Sequence, residues 1–164
     1  MQLNAEQLKQ FDEEGWIFLP DVFTQDEIDV LTGELPKIFS MDRPEVWRET
    51  GSDAVRTAFA AHYYNEAYRR LGQHPRLIGP VMQLLDGPVY MHQYKINGKA
   101  AFDGDVWQWH QDYGTWARDD KMPEARAMNI ALFLDEVTEF NGPLYIIPRS
   151  HKGGVIEAGH DTLT

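Results

Sequence analysis

The sequence predicts a mainly β domain with N-terminal helices, of the α+β, helix-buttressed β-sandwich or jelly-roll kind. Three observations carry this expectation. Helix signals are confined to the first half of the chain, strand-like segments follow one another in the second, and no β–α–β alternation links them. With 164 residues, 43% of them hydrophobic, the chain suits one domain around a single core.

The N-terminal part, residues 1–87, reads as helical. Asn4 can cap a helix carrying Leu8 and Phe11 on one face, and Gly15 suits its end. Thr24 and Glu27 have the spacing of a capping box for a second helix bearing Ile28, Leu31 and Leu35. Between the two, WIFLPDVF is expected to be a short apolar strand. The polar passage SMDRPEVWRETGSDAVR, with its Pro, Gly and charges, is expected to be a surface loop beside a binding region. Two short helices follow, one capped by Asn65 and one with Pro75 in its first turn, ending near Gly87.

From Pro88 onward the residues favour strands. VYMHQYKIN has a period of two, which sends Tyr90, His92, Tyr94 and Ile96 to one face and Met91, Gln93, Lys95 and Asn97 to the other. VWQWHQDY, AMNIALFLDEV and GPLYIIP are expected to be further strands separated by Gly, Pro and Asp turns.

Charge and composition exclude several functions. Lys and Arg number 15 against 26 Asp and Glu, a formal charge of -11, which disfavours nucleic acid and anionic membrane as partners. There is no cysteine, so a metal would have to be held by His, Asp or Glu. MQLNAEQLKQ lacks the basic and apolar runs of an export signal, no window suits a membrane helix, and a cytoplasmic location is expected.

The stretch WQWHQDYGTW, residues 107–116, carries the chemistry. On an extended strand His110 and Asp112 share a face with Gln108, while Trp109, Gln111 and Tyr113 occupy the other. An imidazole nitrogen and a carboxylate oxygen are two of the three ligands of the facial triad that holds non-haem Fe(II). A second His from a distant strand would complete it. The spacing alone also suits a structural His–Asp pair. Trp107, Trp109, Tyr113 and Trp116 surround the pair, as core or as pocket wall. Gly114 is expected to end the strand and set Trp116 at a pocket rim, facing substrate.

VYMHQYKIN, WHQDYGTWARDDKMPEARA and NGPLYIIPRSH, with GWIFLPDVFTQDEI and GSDAVR upstream, resemble the phytanoyl-CoA dioxygenase family of Fe(II)/2-oxoglutarate oxygenases, and its ectoine hydroxylase branch in particular. The resemblance implies a double-stranded β-helix (a cupin-like jelly roll) with N-terminal helices packed on one sheet. It implies His110 and Asp112 as iron ligands, Gln93 and Asn97 as residues reaching 2-oxoglutarate, and Gln93 and Trp116 as substrate contacts. An edge strand turned to solvent is the other reading of Gln93 and Asn97. Pro148, Ser150 and His151 are expected to be architectural.

The chain departs from the ectoine branch at Gln111, Tyr113, Gly114 and Ala117, which makes a small amino acid or related zwitterion the expected substrate class. Asp112 as a carboxylate ligand points to hydroxylation, because halogenating relatives replace it with a small residue. The family's distal His and its 2-oxoglutarate-binding Arg fall well downstream of PRSH, so residues 1–164 are expected to lack the C-terminal half of the jelly roll. His160 is the remaining His after that motif, in a loop-like context. The expected function is Fe(II)- and 2-oxoglutarate-dependent hydroxylation of a small molecule with O2, in a homo-oligomer. The alternative is a non-catalytic jelly-roll binding or scaffold protein.

Overall fold

A computed structural model describes residues 1–100 and 106–159. In chain order the helices are α1 (Ala5–Glu14), α2 (Gln25–Phe39), α3 (Glu66–Gly72), α4 (Pro75–Leu84) and α5 (Asp112–Asp119), and the strands are β1 (Val46–Arg48), β2 (Val55–Phe59) and β3 (Lys95–Asn97). The chain forms two compact units. One holds Met1–Gln2, Leu19–Asp105 and Ile130–Leu144, and the other holds Leu3–Phe18, Val106–Asn129 and Tyr145–Thr164.

The expected helix signals act as local devices. In α1 the Asn4 side chain accepts from the Gln7 N–H at 2.9 Å, the Gln7 side chain accepts from the Asn4 N–H at 2.9 Å, and Gly15 closes the helix at φ 83°. In α2 Thr24 and Glu27 form the same reciprocal box. Asn65 caps α3 by accepting from the Tyr68 N–H, and Pro75 opens α4.

In the first unit, β1, β2 and β3 form an antiparallel sheet in that order. Val46 faces Ala58 and Ala58 faces Ile96, so one buried row crosses all three strands. Leu31 and Ile38 of α2 and Tyr68 of α3 complete the core over that row, with Leu132 and Leu134 packed partly buried against it. One buried and one half-buried hydroxyl are satisfied by backbone. Tyr68 donates to the Leu31 carbonyl at 3.0 Å and Tyr94 donates to the Tyr68 carbonyl at 3.1 Å. Burial pushes both phenols well above the usual tyrosine range.

Three expectations are corrected. WIFLPDVF forms no strand; Pro20 lacks an N–H and Asp21 turns left-handed at φ 54°, so the segment bends into α2. The polar passage expected as a loop instead contains β1 and the start of β2. Two of its charges are internal, because Glu49 and Arg56 are both buried and bonded to each other at 3.0 Å. Of the strands expected after Pro88, only Lys95–Asn97 pairs among the described residues. VWQWHQDY runs into α5, and AMNIALFLDEV and GPLYIIP show no ladder there. A strand exists only where a neighbour accepts its hydrogen bonds, and a β-rich composition cannot supply one. Among the described residues the regular structure is therefore helices and one three-stranded antiparallel sheet. Among the described residues no helix is long and apolar enough to cross a membrane.

Candidate metal centre

The second unit brings His110 and Asp112 together. Gln111 between them is extended, at φ -109° and ψ 122°, so the two flanking side chains leave the chain on one side. Asp112 then begins α5, which corrects the expectation that both lie on one strand. Two effects favour that start. Gln111 is extended, as a residue before a helix must be, and the Asp112 carboxylate lies in the first turn, where the unbonded N–H groups favour negative charge.

The pair has defined polarity. His110 Nδ1 lies 2.6 Å from the Gln108 carbonyl, which can only accept, so Nδ1 carries the proton and donates. In the neutral ring that leaves a lone pair on Nε2, 3.3 Å from Asp112 Oδ1. Two electron-rich atoms facing each other at this distance are held together by a shared proton or a shared cation. The other carboxylate oxygen, Oδ2, accepts from the Asn129 side-chain amide. An imidazole oriented through its second nitrogen and a carboxylate oriented through its second oxygen form the surroundings that metal-binding residues need. The side chains are 23% and 30% exposed, open enough for exchange with solvent.

A nitrogen and an oxygen donor of this kind fit a divalent first-row metal. Among the described residues no group of three His, Asp or Glu converges. His160 lies outside the described residues.

Other expected site residues fall elsewhere. Trp116 is 7% exposed on α5, not at a rim, because Gly114 sits inside the helix instead of ending a strand. Trp109 is exposed and meets the Tyr145 ring at 6.5 Å, while Trp107 and Tyr113 are half-buried. Gln93 and Asn97 belong to the first unit. Both are exposed, and Asn97 at the end of β3 accepts from the buried Thr57 hydroxyl at 3.0 Å. The period-two phase of that segment does hold locally, with Ile96 buried between exposed Lys95 and Asn97. His151 sits in a 3-10 turn, Ser150–Gly153, and donates from Nε2 to the Asp12 carbonyl at 3.0 Å. Asn129 was not singled out by sequence. Its signal is that it is the one polar residue in the run AMNIALFL.

The chain is similar to several known proteins. L-proline trans-4-hydroxylase of Streptomyces griseoviridis is 42% identical over 148 residues, covering 90% of this chain and 55% of that enzyme. Ectoine dioxygenase of Halomonas elongata is 36% identical over 154 residues, covering 92% of this chain and 46% of the relative. The chain thus spans about half the length of these curated relatives. Among solved structures, EctD from S. alaskensis with 2-oxoglutarate and 5-hydroxyectoine matches with a TM-score of 0.72 at 32% identity, over 76% of this chain and 45% of that one. EctD with bound Fe matches with a TM-score of 0.65 at 31% identity, over 70% and 42% of the two chains. The phytanoyl-CoA dioxygenase (PhyH) pattern itself runs from residue 11 to residue 162, and the chain belongs to that family.

Proposed function

We propose that residues 1–164 belong to a single Fe(II)- and 2-oxoglutarate-dependent dioxygenase domain of double-stranded β-helix architecture. Its reaction is hydroxylation of an unactivated C–H bond in a small amino-acid-like or zwitterionic substrate. The observation that carries this is the convergence of His110 Nε2 and Asp112 Oδ1, each oriented by a partner on its other atom. Relatives named for proline and ectoine support the substrate class, since both are small zwitterions.

His110 and Asp112 would hold the iron. Iron when bound supplies O2 activation, in which one oxygen atom goes to succinate as 2-oxoglutarate loses CO2 and the other goes to the substrate C–H. The chain's own residues orient and exclude. The Gln108 carbonyl keeps the His110 lone pair on Nε2, and Asn129 fixes the plane of the Asp112 carboxylate. Gln93 and Asn97 are assigned to 2-oxoglutarate, and Gln93 and Trp116 to substrate, on the family resemblance of their segments. Trp116, as a buried ring, would act by shaping an apolar wall, not by reaching out to solvent.

Conversion of 2-oxoglutarate to succinate tests this, with Fe(II), O2 and a panel including L-proline and ectoine. Slow, iron-dependent succinate release is expected, lost in His110→Ala and Asp112→Ala. Release that needs no iron, or that survives both substitutions, would contradict it. Iron binding with no release from any candidate would leave a binding protein instead.

A further inference from the structure

We infer that Gln111 is a positioning residue for the His110–Asp112 pair, clamping the residue between the two ligands to a strap of backbone at 154–156. This rests on the metal-centre reading above. Gln111 occupies the position before α5 where a short polar side chain would ordinarily bond the helix's own N–H groups, yet it makes no such bond. Its amide is committed elsewhere. Nε2 donates to the Gly154 carbonyl at 3.1 Å, and Oε1 accepts from the Ile156 N–H at 2.7 Å. Both ends of one side chain are thus used as a strand neighbour would use a backbone peptide.

The strap is itself fastened. The Arg149 N–H donates to the Glu14 carbonyl at 2.8 Å, and His151 Nε2 donates to the Asp12 carbonyl, so both meet the last turn of α1, where carbonyls lack helical partners. Gly15 completes the fit, because a Cβ there would stand 2.3 Å from His151 Nδ1. On the other side, a Cβ at Gly114 would lie 3.5 Å from Val155, so the strap also borders the first turn of α5. Gly154 takes φ 75°, a conformation that favours glycine. The backbone angles of Gln111 set the directions in which His110 and Asp112 leave the chain, and a side chain pinned at both ends holds those angles. Gln111 acts through the ligands and does not touch the metal.

Co(II) titration of the full chain, followed by its visible ligand-field bands, tests the clamp. Gln111→Leu should weaken Co(II) binding about tenfold or more, as loss of a ligand-orienting partner does, and alter the band pattern. Gln111→Glu keeps the acceptor for the Ile156 N–H and loses the donor, so it should fall between. His151→Ala, in the turn that leads into the strap, should weaken binding in the same direction and combine non-additively with Gln111→Leu. A merely structural Gln111 would lower the melting temperature and leave the bands and affinity unchanged, which would overturn the inference; the Glu variant decides the matter if the Leu variant does not fold. The two failures are separable. If Asp112→Ala binds Co(II) like the parent chain, the metal-centre reading falls. If Asp112→Ala loses binding and the Gln111 variants do not, only the clamp falls.

Discussion

Replacing Asn129 with Leu isolates the orientation of one ligand from its identity. Asn129 donates to Asp112 Oδ2 while Oδ1 faces His110 Nε2 at 3.3 Å, so the amide fixes the carboxylate plane without occupying the donor position. Loss of such a partner costs about 10–100-fold in metal affinity, or about 1.4–2.8 kcal/mol. The structure selects the lower end. Asn129 is exposed, so water can replace part of the lost bond, and about a tenfold loss is expected. Exposure also limits the cost to stability to about 0.5 kcal/mol, which keeps the two effects apart. Anaerobic Fe(II) titration against a competing chelator measures the first, and urea denaturation the second. Affinity within twofold of the parent chain would refute an orienting role for Asn129. So would a loss fully matched by global destabilisation.

Other perturbations address the scaffold. Glu49→Leu should cost about 3–5 kcal/mol by urea denaturation, because it removes the carboxylate that the Arg56 guanidinium bonds in a site where the two side chains are 7% and 10% exposed, and Glu49→Leu/Arg56→Met should recover most of the loss. Bonds from the Arg76 guanidinium and the Thr24 N–H hold the Glu27 carboxyl at about 2, below its ordinary 4.5. Since the folded value is the lower one, the stabilisation is present above about pH 4.5 and is lost as pH falls towards 2; melting curves across that window should show a smaller acid loss for Glu27→Gln than for the parent. Gly15→Ala should cost more than about 1 kcal/mol, because φ 83° strains any side chain and the new Cβ meets the His151 ring.

The legible parts of the fold were those decided locally. Asn4, Thr24, Asn65 and Pro75 act within one helical turn of themselves, so four helix starts could be read from residue type and spacing. Strands depend on distant partners. Val46–Arg48 was hidden because charged neighbours suggested a surface, when Glu49 and Arg56 neutralise each other inside. VWQWHQDY has the residues of a strand and still leads into α5, since no ladder forms there among the described residues. The His110–Asp112 proximity was legible for a sound reason even so. Only Gln111 has to be extended for i and i+2 to share a side, and it is. Asn129 and the strap at 154–156 were not legible, because they reach Asp112 and Gln111 from positions 17 or more residues along the chain.

The most direct measurement is anaerobic Fe(II) binding by the chain and by its His110→Ala and Asp112→Ala variants, with circular dichroism recorded on the same samples. A single saturable site is expected in the parent, weakened at least about tenfold by either substitution while the helical signal is unchanged. Equal iron binding by all three proteins would contradict a metal centre built on His110 and Asp112.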